Sequence, residues 1–148
     1  MYTVEEFDEE KTKVMKYIVY KRRTEKEIRT KFAGSIEEDI LEDIIEYLKE
    51  AKYIDDKEYI EKAVNNIKAL KNLSIKEIKY KLFAKGIKSD DIEDYFYENS
   101  DELEEYELES ARNIIIKKSR DYDEEEMKLY LLKKGFKSDT LKKAFEDK

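Results

Sequence analysis

The chain has no cysteine, no histidine, no proline and no tryptophan, and only three glycines in 148 residues. Each absence excludes something. Without cysteine there is no disulfide and no thiolate ligand, which suits a reducing compartment. Without histidine or cysteine, the usual zinc ligand sets, the Ser-His-Asp triad and Cys-His nucleophiles are all ruled out. No Gly-x-x-x-x-Gly-Lys-Ser/Thr or Gly-x-Gly-x-x-Gly occurs, so no ordinary phosphate-cradling loop is present. With no proline, and glycine only at 34, 86 and 135, the turn chemistry of an all-β fold is missing, and helices with short connections are predicted. No apolar run approaches the roughly 20 residues of a membrane span. The start, Met1-Tyr2-Thr3-Val4-Glu5-Glu6, lacks the basic-then-apolar order of a signal peptide. The expectation is a soluble cytoplasmic protein with no catalytic residues, no metal site and no cofactor.

What the chain does have is charge. Asp, Glu, Lys and Arg make up 47% of it, with a formal net charge of −7. That composition leans toward disorder, but a sustained apolar periodicity opposes it. Neighbouring carboxylates occur throughout. In a chain this acidic they read as solvated helix faces, not as general acid/base pairs.

The chain also repeats. Lys85-Gly86-Ile87-Lys88-Ser89-Asp90-Asp91-Ile92 returns as Lys134-Gly135-Phe136-Lys137-Ser138-Asp139-Thr140-Leu141. A helix-start signal precedes each copy: Ser74-Ile75-Lys76-Glu77 and Asp123-Glu124-Glu125-Glu126. A worn third copy lies upstream, as Thr24-Glu25-Lys26-Glu27, then Gly34, then Ile40. The start signals stand 50 and 49 residues apart. A period of that size marks stacked supersecondary units, and it moves attention from a pocket to a long surface.

Each unit reads as three helices, with predicted repeats at 1–53, 54–99 and 100–148. In the second, Asp55 is an N-cap with Glu58 three residues on, and Ile54 with Tyr59 has the spacing of a hydrophobic staple. Ile60, Ala63, Val64, Ile67 and Leu70 then form one helical face. A second helix starts at Ser74, buries Ile75, Ile78 and Leu82, and stops at Gly86, where glycine takes the left-handed conformation without strain. Ser89 caps a third helix facing inward through Ile92, Tyr95 and Phe96. The third unit repeats this plan with Leu108, Ala111, Ile114 and Ile115, then Met127 and Leu131, then Leu141 and Phe145. The first has Val14, Tyr17 and Ile18 in a helix to about Arg22, then Ile28 and Phe32, then Ile40, Leu41, Ile44, Ile45 and Leu48. From cap to glycine it is two residues shorter than the others. Its second helix is therefore shorter, or its terminating turn differs.

The charges follow the repeat. From Asn65 to Lys88 there are seven lysines and one acid, Glu77; from Ser89 to Glu109 there are eleven acids and no base. Arg112, Lys117, Lys118 and Arg120 then turn the sign positive. In the first unit Lys21, Arg22, Arg23, Arg29 and Lys31 precede the acidic stretch Glu37 to Glu46. The third helix is acidic in the first two units, whereas the last carries Lys137, Lys142 and Lys143. If equivalent helices align, the basic ones form a ladder suited to a phosphate backbone or a periodic acidic surface. The alternative is a lysine-rich solvated face. The twelve tyrosines fit helix edges better than base stacking.

The junction Leu48-Lys49-Glu50-Ala51-Lys52-Tyr53-Ile54-Asp55-Asp56-Lys57-Glu58-Tyr59 carries a more specific signal. So do Ser74-x-x-x-Ile78-x-x-x-Leu82-x-x-Lys85-Gly86-Ile87 with Ile92, and Arg23-Thr24-Glu25-Lys26-Glu27-Ile28. Together they resemble the bacterial RecX regulatory proteins from about Lys13 to Phe145. The resemblance implies an all-α fold of three tandem three-helix repeats forming an elongated, curved array. It implies a modulator, not an enzyme: a protein that binds the RecA recombinase filament on single-stranded DNA, in its helical groove. There it would inhibit ATP hydrolysis, filament extension and strand exchange. The candidate contact residues are the recurring cations Arg22, Arg23, Arg29, Lys31, Lys71, Lys76, Lys79, Lys117, Lys118 and Arg120. The expected partners are the RecA filament and single-stranded DNA, with no membrane, and the expected state is a monomer. Two alternatives are a non-specific nucleic-acid binder, because a basic second helix suits helix-turn-helix geometry, and a helical-repeat scaffold for another protein.

Overall fold

The computed structural model describes residues 1–146. Among them are nine helices and no sheet: α1 (Val4–Tyr20), α2 (Glu25–Phe32), α3 (Glu38–Glu50), α4 (Asp56–Leu70), α5 (Ile75–Ala84), α6 (Ser89–Glu98), α7 (Ser100–Lys118), α8 (Glu124–Lys134) and α9 (Ser138–Glu146). The all-α fold is as the composition implied. Chain contacts group into two compact units, Met1–Tyr59 with Lys85–Lys88, and Ile60–Ala84 with the described residues from Ser89 onward.

Helix starts are set by local side chains, because the first amides of a helix have no partner within it. Thr24 accepts from the Glu27 amide while the Glu27 carboxylate takes the Thr24 amide, a full capping box. Ser74 with Glu77 does the same for α5, and Asp123 with Glu126 for α8. The three predicted start signals are therefore real caps, each worth about 1 kcal/mol. Asp55 accepts the Glu58 amide as predicted. The α6 helix begins at Ser89 itself, one residue earlier than a Ser89 cap implies.

Helix ends divide into two kinds. Gly86 and Gly135 follow α5 and α8 with φ of +91° and +101°. The Gly135 amide donates to the Leu131 and Leu132 carbonyls. The α2 helix is the shortest at 8 residues, against 10 and 11 for α5 and α8. Its turn differs as well. Ala33 is extended, Gly34 takes φ +81°, and both Ser35 and Ile36 donate to the Phe32 carbonyl. Both forms of the predicted deviation occur.

The end of α3 carries no glycine. Lys52 takes φ +64°. Its amide donates to the Lys49 carbonyl and the Tyr53 amide to the Leu48 carbonyl. This is a Schellman closure with lysine in the position that glycine usually fills.

In the first unit Val14, Ile28, Ile44, Ile45 and Leu48 form the centre of the core, with Tyr17 and Ile18 packed at its margin. The five apolar residues assigned to α3 are all buried. In the second unit Ala111, Met127, Leu131, Phe136 and Leu141 pack together, flanked by Leu108, Tyr122 and Phe145. At about 25 cal/mol per Å² of apolar area, each such side chain larger than alanine contributes roughly 1.5–3 kcal/mol on burial.

Candidate partner-binding surface

The predicted cations fall into three local settings. In the first unit Arg29, on α2, donates from Nη1 and Nη2 to the two carboxylate oxygens of Glu42 on α3, at 2.7 and 2.8 Å. Its Nε reaches Glu25 at 3.0 Å. Lys49 approaches the other Glu25 oxygen at 3.0 Å. The hydrogen bonds to Glu42, then Glu25, hold the guanidinium pKa above its ordinary value. The Arg29 hydrogen bond holds Glu42 below its own. Burial pushes Glu25 upward, but the hydrogen bonds from Lys49 and Arg29 outweigh it and its pKa is lowered. Arg22 is likewise taken up by a carboxylate, that of Glu58.

Two further cations gather on a ring instead. The Arg23 guanidinium lies 3.9 Å from the Tyr17 ring centre, and the Lys31 ammonium 5.8 Å from it. Phe32 meets the same ring edge-on. In the second unit Lys118 stands 5.1 Å from the Tyr130 ring centre and 5.9 Å from that of Tyr122, and the two tyrosines stack at 5.4 Å. Such contacts leave the charge available while fixing its position.

The third setting is open solvent. Lys71, Lys76, Lys117 and Arg120 are exposed. The stem of Lys76 also lies against Gly135. Lys79 is half-buried, 3.1 Å from Glu93 on α6.

The pairing repeats with the sequence. Lys79 stands five residues after its cap, as Arg29 does after Thr24, and both meet a glutamate of the following third helix. In the last copy the matching positions are Lys128 and Lys142, both cations. Lys128 turns to Glu124 within its own helix, at 3.7 Å.

Sequence reasoning missed a buried carboxylate. Glu107, on α7, is fully buried. It accepts from the Ile75 amide at 2.8 Å, the Lys137 amide at 3.1 Å and the Thr140 hydroxyl at 2.9 Å. It ties the start of α5 and the start of α9 to α7. Its neighbour Tyr106 clamps the α4–α5 linker, accepting from the Leu73 amide and donating to the Lys71 carbonyl. Asp56 makes the matching bond in the first unit, accepting from the Glu25 amide at 3.1 Å. The available signal was this recurrence: an acid on the next first helix, placed to take the first amide of a second helix.

The glycine turns have a second role as well. The Thr24 hydroxyl donates to the Lys85 carbonyl at 2.7 Å, and the Ser74 hydroxyl to the Lys134 carbonyl at 2.8 Å. A Cβ on Gly86 would lie 2.4 Å from the Lys26 side chain, and one on Gly135 would lie 2.9 Å from that of Lys76. Each Lys-Gly turn is thus docked on the capped start of a second helix about sixty residues earlier in the chain.

Among the described residues, no cluster of three or more His, Cys, Asp or Glu is arranged to hold a metal, and no helix is long and apolar enough to cross a membrane.

These features define an all-helical protein whose caps, glycine stops and inter-helix fastenings recur along the chain. No family model matches it. Individual proteins do. It is 35% identical over 136 residues to a regulatory protein RecX of Finegoldia magna, covering 86% of this chain and 66% of that one. It is 30% identical to a regulatory protein RecX of Clostridium acetobutylicum, covering 93% of this chain and 69% of that one. A RecX crystal structure from Lactobacillus salivarius superposes with a TM-score of 0.84 at 25% identity, covering 98% of this chain and 97% of that one. The chain belongs to the RecX family of regulatory proteins. It spans just under two thirds of the length of the first of these relatives.

Proposed function

We propose that the chain is a cytoplasmic, non-enzymatic regulator that binds the RecA recombinase filament on single-stranded DNA. Lodged in the filament groove as a monomer, it restrains ATP hydrolysis, extension and strand exchange. Family membership supports the regulatory role. The observation that supports the contact surface is the recurrence of cations on and beside the second helices; in this reading the chain is three tandem repeats, at 1–53, 54–99 and 100–148. Several modest contacts along a repeating partner gain from effective concentration, so no single strong site is needed.

The test is charge reversal at one exposed cation per repeat: Lys31→Glu, Lys71→Glu and Lys117→Glu together. All three are exposed, so helicity should be unchanged by circular dichroism. Inhibition of RecA ATPase should be lost at concentrations where the parent chain is saturating. Undiminished inhibition by the triple variant contradicts the proposed surface. Tight binding to bare DNA with a steep salt slope would instead favour a nucleic-acid binder.

A further inference from the structure

Two of the second helices carry exposed apolar residues that the cation argument does not use. On α5, Ile75, Ile78 and Leu82 are buried. At about 3.6 residues per turn, the opposite side carries Lys76, Tyr80 and Phe83. Tyr80 is 72% exposed and Phe83 63%. On α8, Met127 and Leu131 are buried, while Leu129 is 60% exposed and Leu132 46%. Leu129 and Leu132 stand 49 residues after Tyr80 and Phe83, which is the repeat period. Helix amphipathicity calls for polar residues there. Apolar residues scattered singly over a surface mean little. The same two positions left apolar in two copies are not scatter. In the first copy the corresponding residues are Thr30 and Ala33, so the feature belongs to the later two.

We propose that Tyr80, Phe83, Leu129 and Leu132 dock a protein partner whose surface presents apolar sockets rimmed by carboxylates. The charge beside the face selects this chemistry. Lys76 and Lys81 are exposed beside Tyr80 and Phe83 on α5, and the carboxylate of Glu77 is engaged by the Ser74 amide. On α8, Lys133 is exposed beside Leu129 and Leu132, while Lys128 is paired with Glu124 and the exposed Glu125 shares that side, so the carboxylate rim is selected by the α5 lysines. Nucleic acid fits less well. Bases stack on rings, and the α8 pair is aliphatic, whereas tyrosine, phenylalanine and leucine all fill apolar sockets. A small apolar centre within a charged rim is how protein interfaces concentrate their affinity. This inference rests on the filament-regulator reading and assigns the part of the chain that grips protein.

The test uses the full chain and a variant with Tyr80→Ser, Phe83→Ser, Leu129→Ser and Leu132→Ser, together with the two paired variants. Removing exposed side chains should leave the helical spectrum and melting temperature near those of the parent. Binding to RecA filaments should weaken about tenfold or more in the fourfold variant and by less in each pair, on the scale of hot-spot losses. Parent-like filament binding by all three variants overturns the proposal and leaves the regulatory reading standing. A parent chain inert toward filaments overturns that reading and the proposal with it. An equal loss of affinity for bare single-stranded DNA assigns the face to nucleic acid, and a parent dimer dissolved by the substitutions assigns it to a second copy. Either result contradicts a protein partner of different kind.

Discussion

Single residues do work here that their types do not advertise. All three glycines have positive φ, but their surroundings differ. A Cβ on Gly34 would meet nothing within 4 Å, whereas one on Gly86 would drive into Lys26 close to its backbone. Gly34→Ala should therefore cost only the left-handed penalty, about 1 kcal/mol. Gly86→Ala adds a clash and should cost more, roughly 2–4 kcal/mol. Chemical denaturation of the two variants side by side checks the order; equal losses would contradict the docking of the Lys85-Gly86 turn. Glu107 is a second case. Truncation to alanine leaves the Ile75 and Lys137 amides without their acceptor in a buried site, and should cost about 3 kcal/mol. The melting temperature should fall by several degrees, far more than for an exposed glutamate of the same stretch such as Glu105.

At the scale of elements, what could be read from the sequence was whatever is decided locally. The caps at Thr24, Ser74 and Asp123 and the stops at Gly86 and Gly135 depend on residues within one turn, and all are found where the spacing put them. The end of α3 was not legible, because a lysine at position 52 carries no stop signal. Glu107 was hidden among acids of its own stretch, and only its distant amide donors distinguish it. The Arg29–Glu42 and Lys79–Glu93 pairs could not be read either, since they depend on how a third helix turns toward a second. They have a measurable consequence in the first unit. Glu25 and Glu42 have lowered carboxyl pKa values in the fold. Their contribution is present above the ordinary carboxylate value of about 4.3 and is lost as pH falls through their lower folded values. Arg29→Met should therefore lower the melting temperature at about pH 7, and the gap from the parent chain should close by about pH 2. Because Glu42 is exposed and Arg29 and Glu25 are only partly buried, the effect is small. A gap independent of pH would contradict the ion-pair account.

The whole molecule has a net charge of −7 and yet carries cations in register with its repeat. The fold class was open to sequence reasoning because helical periodicity and the absence of turn residues point the same way. The proposed contact surface could be read from the sequence only in part. The cations could be located, but not their partners: Arg22, Arg29 and Lys79 are engaged by carboxylates of the same chain. Lys71, Lys117 and Arg120 are exposed. The outward apolar residues of α5 and α8 went unnoticed because a helix-edge tyrosine, a phenylalanine and two leucines look like core margin until burial is known. The most direct test of the account is to add the chain to pre-formed RecA filaments on single-stranded DNA and follow ATP hydrolysis. The account predicts that the rate falls as the chain is titrated in and that added salt weakens the effect. An unchanged rate at saturating chain contradicts it.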